Sequence, residues 1–426
     1  MSTRQKSEFH AAAQKVRIET RAFIDGKFVE AADGGTFETV NPATGKVLAR
    51  VTAGGKAEID KAVAAARRSF EAGVWSGMAP RERKKALLRL ADLVEKNAAE
   101  LALLEVLDNG KPITDAMNAD LPDAIETLRW HAETIDKLYD WASPTPRDVS
   151  SIIVREPIGV VGAVIPWNFP LAITAMKIGP VLAAGNSLVI KPAEQTPLTA
   201  LRLAGLAVEA GIPDGVLNVV PGDGPTAGQA LGRHPDVDCL SFTGSTEVGR
   251  LFLKYAAESN LKRTSLELGG KSPAIVLDDV SDLRHVAEQV AIGILFSQGE
   301  NCSAGSRLIV HKAVKDKLLP ELVEVFKGWT LGDPLQPDTR IGAMIDEGHL
   351  KRVLSYIDSG KQAGAVLVTG GARALEETGG YFLPPTLFDR VGNDMKIARE
   401  EIFGPVLSVI TVSDAEEAVR VANDTN

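Results

Sequence analysis

Cysteine is nearly missing from this sequence: 426 residues contain two, Cys239 and Cys302. Two thiols so far apart form no disulfide framework. There is also no C-x-x-C, no H-E-x-x-H and no cluster of His and Cys at ligand spacing, so neither a stapled secreted scaffold nor a metal site is expected. Basic charge is short as well. The 47 Lys and Arg residues against 56 Asp and Glu give a net charge of -9, the opposite of the footprint that a nucleic-acid partner selects. No stretch approaches the roughly eighteen uncharged apolar residues of a membrane span, and the opening MSTRQKSEFHAAAQKVRIETR lacks the apolar core of an export signal. The reading is a cytoplasmic protein with no membrane or nucleic-acid partner. Tandem repeats and low-complexity tracts are missing too. No G-x-S-x-G elbow is present, and no local signature pairs a histidine with Cys302, so serine-hydrolase and papain-like arrangements are disfavoured.

What is present is an ordinary globular composition, 45% hydrophobic and 24% charged, on a chain long enough for two or three domains. FIDGKFVEA reads as a hairpin turning at Asp25-Gly26. A helix is expected over 57–72, with Ile59, Val63, Ala66 and Phe70 on one face, and a second from Pro80 to Leu107, stopped by Asn109-Gly110 and Pro112. SPTPRDVSS breaks the helical pattern and leads into an extended segment. From 158 to 277 short Val/Ile runs (GVVGAVI, SLVI, VLNVV, CLSF, AIVL) alternate with helical stretches, the rhythm of a doubly wound parallel sheet. The rhythm restarts after Cys302 with RLIV, a helix over 313–327, AVLVT and GPVLSVIT. The fold class is therefore α/β with two such sheets, and Cys302 falls close to where they meet.

Several stretches carry candidate chemistry. In SQGENCSAGSR, Cys302 sits among turn-forming residues, where an accessible thiol surrounded by backbone N–H groups favours the thiolate; Cys239 opens the apolar run CLSF and reads as core. LELGGKSP places Glu267 at the end of a strand, where a desolvated carboxylate serves as a general base or, equally, as a capping or paired group. PWNFP holds Asn168 between prolines, an amide placed to donate to an oxyanion or simply to form the turn. CLSF runs into TGSTEVGR, a Gly-Ser-Thr turn whose free N–H groups suit a phosphate, although Arg250-Leu251 stands where a P-loop needs Lys and Ser/Thr. GDGPTAG has the wrong spacing for a dinucleotide fingerprint, and glycine also simply ends strands. VIKPAEQTP puts Lys191 and Glu194 past a strand end, suited to ribose hydroxyls or to a solvated loop.

Together PWNFP, KPAEQTP, FTGSTEVG, LELGGKSP, QGENCSAGSR and EEIFGPV, in this order and spacing, resemble the aldehyde dehydrogenase superfamily from about residue 20 to the end. WHAETIDKLYD, IVREPIGVVGAVIPWNFPL and LEETGG are most similar to bacterial enzymes acting on aminoaldehydes of polyamine and arginine breakdown. The resemblance implies an NAD-binding domain (1–142 and 158–267), an oligomerisation hairpin (143–157) and a catalytic domain (268–426). It implies oxidation of an aldehyde, with Cys302 as nucleophile, Asn168 and the Cys302 N–H as oxyanion donors, Glu267 as the base that hydrolyses the thioester, and Lys177 as a supporting lysine. Members that transfer the acyl group to coenzyme A generally lack that glutamate. The alternatives are a non-catalytic structural or binding protein reusing the fold, disfavoured because Cys302, Asn168 and Glu267 are all present, and a broad-specificity aliphatic or aromatic aldehyde dehydrogenase. The cofactor implied is NAD rather than NADP, held by Pro166, Trp167, Lys191, Glu194, Gly244, Ser245, Leu268, Glu401 and Phe403, because a carboxylate at the ribose repels a 2′-phosphate. Phe169, Trp167, Phe296 and Met176 are implied walls of the substrate tunnel. Family members continue beyond AVRVANDTN, so a homodimer or homotetramer is expected of a complete chain, and reduced turnover and assembly of these residues alone.

Overall fold

The computed structural model describes residues 3–426, with side chains from residue 8 onward. Asp25 and Gly26 both take positive φ, 53° and 75°, as a two-residue hairpin turn with the native twist requires. They join β1 (Ala22–Ile24) to β2 (Lys27–Val29). β3 (Thr36–Asn41) and β4 (Lys46–Thr52) form a separate two-stranded sheet, as do the short β5 (Trp141–Ala142) and β6 (Ile152–Ile153). The first strand of this last hairpin thus lies before the expected boundary at 143, because Trp141 and Ala142 pair with Ile153 and Ile152.

The apolar runs that follow build the large sheet: β7 (Val160–Val164), β8 (Ser187–Lys191), β9 (Leu217–Val219), β10 (Cys239–Gly244) and β11 (Arg263–Leu268). Its order is β11-β10-β7-β8-β9-β1-β2, with β7 to β11 mutually parallel and the β1–β2 hairpin added antiparallel at one edge. The chain steps from β7 through β8 to β9 in one direction, then returns to place β10 and β11 on the other side of β7. That reversal opens a crevice past the carboxyl ends of β7 and β10. AIVL does not continue this sheet. It forms β12 (Pro273–Val276), the edge of a second sheet with β13 (Arg307–His311), β14 (Val366–Thr369), β15 (Thr386–Asp389) and β16 (Val406–Val412), in the order β12-β13-β16-β15-β14. β14 runs antiparallel to β15, so this sheet is mixed rather than wholly parallel. β15, the four residues TLFD, is too short for its sequence to announce it.

The helices cover both sheets. Lys56–Glu71 begins where Glu58 reaches back to the Gly55 N–H at 3.0 Å, and it buries Ile59, Val63 and Ala66 completely, while Phe70 is half-buried under Arg67. The single helix expected from Pro80 to Leu107 is two, Pro80–Lys96 and Ala98–Asn109. They part at Asn97, whose side chain donates to the Leu93 carbonyl at 2.7 Å and so competes with the helical ladder. The second of these ends at Gly110, in the left-handed region at φ 89°. A Cβ there would lie 2.8 Å from the Ala343 carbonyl oxygen and 2.9 Å from Pro42. Gly110→Ala is therefore expected to destabilise the fold by ~1–3 kcal/mol through backbone strain alone, seen as a lower urea midpoint; an unchanged midpoint would show that the helix end relaxes freely.

Candidate active site

The crevice at the β7/β10 reversal is a cleft of about 190 Å³. Pro166, Trp167 and Asn168 enter it from the segment after β7, Gly244 and Ser245 from the end of β10, and Glu267, Leu268 and Gly269 from the end of β11. The second sheet closes the other wall with Cys302 from the turn before β13 and Glu401 and Phe403 from the segment before β16.

The Cys302 turn is wound tightly. Ser297, Gln298 and Gly299 take positive φ of 50°, 57° and 71° in succession, and a Cβ on Gly299 would meet the Gly404 carbonyl oxygen at 2.3 Å. Past this strained bend the Asn301 carboxamide accepts from the Ser303 N–H at 3.1 Å, which leaves the Cys302 side chain exposed to the cleft. The thiol is not the favoured thiolate that the turn suggested. Partial burial, then the Glu401 carboxylate, push its pKa above the ordinary cysteine range; the N–H groups of Cys302 and Ser303 pull it down, and Glu267 adds to the rise. The donors are where the sequence placed them, but two nearby carboxylates and desolvation outweigh them.

Asn168 is buried and its Nδ2 donates to the Glu300 carbonyl at 2.9 Å. One N–H of the amide is thereby fixed to the nucleophile's own turn, and the other is available to a ligand. Glu267 differs from expectation: the outer face of β11 is exposed, and Glu267 stands in the cleft in contact with solvent rather than desolvated. Lys177, on the helix Pro170–Ala183, is buried, and burial lowers its pKa against the opposing pull of Glu267. Glu401 lies so close to Gly269 that a Cβ there would stand 1.9 Å from its Oε2, and the Gly270 N–H reaches its Oε1 at 3.4 Å. Phe403, at φ 62°, sets its ring edge-on to Trp167 at 5.2 Å.

Lys191 and Glu194 lie apart from the thiol. Lys191 is buried at the end of β8, its Nζ donating to the Gly222 carbonyl at 2.7 Å and contacting Glu194 at 3.3 Å; burial lowers its pKa. Glu194 borders a second, larger cleft of about 460 Å³ with Gln195, Asp223 and Thr226. Phe169, Phe296 and Met176 line neither cleft. The rings of Phe169 and Phe296 stack at 6.1 Å, and Met176 is exposed.

The structure adds residues that the sequence reading passed over. His349 and Arg352, on the helix Glu347–Gln362, line the cysteine cleft, and His349 Nε2 donates to the Phe403 carbonyl at 2.6 Å. Neither belongs to a motif, and only the packing of that helix brings them in. Lys271, within LELGGKSP, is buried, and among the described residues its Nζ has no hydrogen-bond partner; burial and then Arg307 lower its pKa to about 7, against the pull of Glu401. Glu300 is fully buried, and burial raises its carboxyl pKa well above the usual range.

Comparison with known proteins follows the same lines. Residues 28–426 match the model of the aldehyde dehydrogenase family. The aminoacetaldehyde dehydrogenase of Pseudomonas aeruginosa is 53% identical over 99% of this chain and 84% of its own length. The solved γ-glutamyl-γ-aminobutyraldehyde dehydrogenase of Burkholderia cenocepacia superposes with a TM-score of 0.97 at 53% identity, covering 99% of this chain and 85% of that one. The indole-3-acetaldehyde dehydrogenase of P. syringae, solved with NAD+, gives a TM-score of 0.97 at 51% identity with the same coverage.

Because Glu401 raises the Cys302 pKa, Glu401→Gln is expected to move the pH profile of iodoacetamide labelling at Cys302 to lower pH. Peptide mass spectrometry separates this label from any on Cys239. An unmoved profile would mean that the thiol does not sense Glu401.

Proposed function

The chain belongs to the aldehyde dehydrogenase family, and on that premise we propose that it oxidises an aldehyde to its carboxylic acid through a covalent adduct on Cys302, with NAD as the electron acceptor. The observation that carries this reading is the convergence on one cleft of an accessible thiol, a carboxamide tied to the thiol's own turn at 2.9 Å and a solvated carboxylate, supplied by Cys302, Asn168 and Glu267.

The residues present fit a dinucleotide. The cleft opens at the reversal point of the large sheet, and Ser245 caps the twelve-residue helix Thr246–Ala257 by accepting from the Val248 N–H at 3.3 Å, leaving a helix N-terminus suited to a pyrophosphate. Pro166, Trp167, Gly244 and Leu268 would hold the same end. Lys191 and Glu194 would hold the adenosine ribose, where the partly exposed carboxylate of Glu194 disfavours a 2′-phosphate; Glu401 would take the second ribose, and Phe403 the face of the nicotinamide. Bound there, the nicotinamide ring would supply the hydride acceptor.

The chain's own groups carry the rest. The Cys302 thiol gives up its proton to the solvent that reaches it in the cleft, its sulfur attacks the aldehyde carbon, a C–S bond forms, and the carbonyl π pair moves to oxygen. The free N–H of Asn168 and the backbone N–H of Cys302 hold that oxyanion. After oxidation the carbonyl carbon remains on sulfur as a thioester. Glu267, which keeps contact with solvent, takes a proton from water as the water adds to that carbon; the C–S bond then breaks to free the acid and the thiol. Lys177 supports the site through its charge beside Glu267.

The substrate class proposed is an aminoaldehyde, on the strength of the relatives named for aminoacetaldehyde and γ-glutamyl-γ-aminobutyraldehyde. The stacked Phe169 and Phe296 are proposed as part of its approach. Residues up to 140 with 158–267 are read as the NAD-binding domain and 268–426 as the catalytic domain. The hairpin, which opens at Trp141, is read over 141–157 as an oligomerisation element, supported by its exposed Trp141, Ile152, Ile153 and Val154. No described helix is long and apolar enough to cross a membrane.

Glu267→Gln is expected to release one equivalent of NADH per site in a burst and then stall as the thioester, whereas Cys302→Ser gives no NADH while still binding NAD. A steady-state rate unchanged in Glu267→Gln would place the base elsewhere, and turnover by Cys302→Ser would remove the covalent mechanism. Across an aldehyde panel, kcat/KM is expected to be higher for aminoaldehydes than for acetaldehyde or benzaldehyde; the reverse order by about tenfold, a span that one or two side-chain contacts supply, would overturn the substrate class.

A further inference from the structure

We propose that Asn109 is a positioning residue that aims the Asn168 amide at the reacting oxygen, an inference that rests on the reading of Asn168 as an oxyanion donor. Asn109 is the last residue of the helix Ala98–Asn109 and is fully buried. Its Oδ1 accepts from the Lys111 N–H at 3.2 Å, which settles the orientation of the carboxamide. Its Nδ2 then donates to the Trp167 carbonyl at 2.8 Å and, more weakly, to the Asn168 carbonyl at 3.4 Å.

Those two carbonyls belong to the peptide planes on either side of the Asn168 Cα. Holding both planes fixes the direction in which the Asn168 side chain leaves the backbone. The side chain is held at its far end as well, through the bond from Nδ2 to the Glu300 carbonyl, so only one N–H direction is left for a ligand.

The same helix end also reaches the other half of the site. The Gly110 carbonyl accepts from the Ala343 N–H at 3.0 Å, the Ala343 carbonyl accepts from Gln298 Nε2 at 3.3 Å, and the Ile345 N–H donates to Glu300 Oε1 at 3.1 Å. One turn of backbone, Asn109-Gly110, thus touches the Asn168 segment directly and the Cys302 turn through Ala343. Asn109 has no place in the cleft lining and acts only through the residues that do.

The test is a double-mutant cycle on the full chain with NAD present. Asn109→Ala is expected to lower kcat by about 10- to 100-fold, the cost of sub-ångström misplacement of a reacting group. NADH affinity by fluorescence titration and the rate of iodoacetamide labelling at Cys302 should stay within about twofold, because neither needs the oxyanion donor. Asn168→Ala alone should lose about 100-fold or more, and adding Asn109→Ala to it should change kcat by less than about threefold, since the group that Asn109 aims is already gone. Full multiplication of the two losses, or no loss in Asn109→Ala, would overturn the positioning role while leaving the oxyanion reading intact. A fully active Asn168→Ala would overturn that reading and the role of Asn109 with it. Should Asn109→Ala fail to bind NADH, the cycle is decided with Asn109→Ser, which keeps a smaller donor and is expected to show the same non-additivity.

Discussion

A single buried lysine underlies the geometry of this molecule. Lys111 is wholly enclosed, and its ammonium is bonded to Asp120 at 2.8 Å and Glu105 at 3.3 Å. It also lies over the face of Phe169, 4.4 Å from the ring centre. Burial opposes its charge, but the two carboxylates win and raise its pKa, while burial and Asp120 raise that of Glu105. Removing one member of such a group typically costs about 3–5 kcal/mol, because a charge is then left without a partner. The cluster therefore resists displacement, and it is attached to the site. The second oxygen of Glu105 accepts from the Leu171 N–H at 3.1 Å, at the start of the helix that follows Phe169. The catalytic segment is thus seated on ions that have nowhere else to go.

Around the cleft the electrostatics work on the thiol from two sides. Glu401 and Glu267 disfavour the thiolate, and the N–H groups of the Cys302 turn favour it. Glu401 is itself raised by burial and restrained by the Gly270 N–H, Lys271 and Arg352. Among the described residues Lys271 Nζ has no hydrogen-bond partner, and its pKa is shifted by burial, Arg307 and Glu401. The Glu401 carboxylate thus acts on both neighbours, raising the pKa of the thiol and opposing the fall of that of Lys271. Gly269 permits this closeness, since any side chain there would occupy the place of the Glu401 carboxylate.

Much of this was legible in the sequence where the determinant is local. Asp25-Gly26 announced its hairpin, the Val/Ile runs announced the parallel strands, and the short motifs brought Cys302, Glu267 and Asn168 forward together. What escaped was set by competition at longer range. The break at Asn97 depends on one side-chain hydrogen bond, and β15 has only four residues between its neighbours. AIVL carries no mark of which sheet it joins. Glu267 sits at a strand end as its position implies, yet its exposure depends on β11 being the edge of the large sheet.

The sequence by itself determined the chemical types and their local frames: a cysteine in a tight turn, an asparagine between prolines, a glutamate before a Gly-Gly pair. These follow from the chain's immediate neighbours, which dictate φ, ψ and turn type. Tertiary structure alone decided the charge balance at the thiol, the entry of His349 and Arg352 into the cleft, the exposure of Met176 and the hold of Asn109 on the Asn168 segment. Each of these arises between residues distant along the chain, where electrostatic and hydrogen-bonding energies depend on through-space distance and burial rather than on sequence spacing.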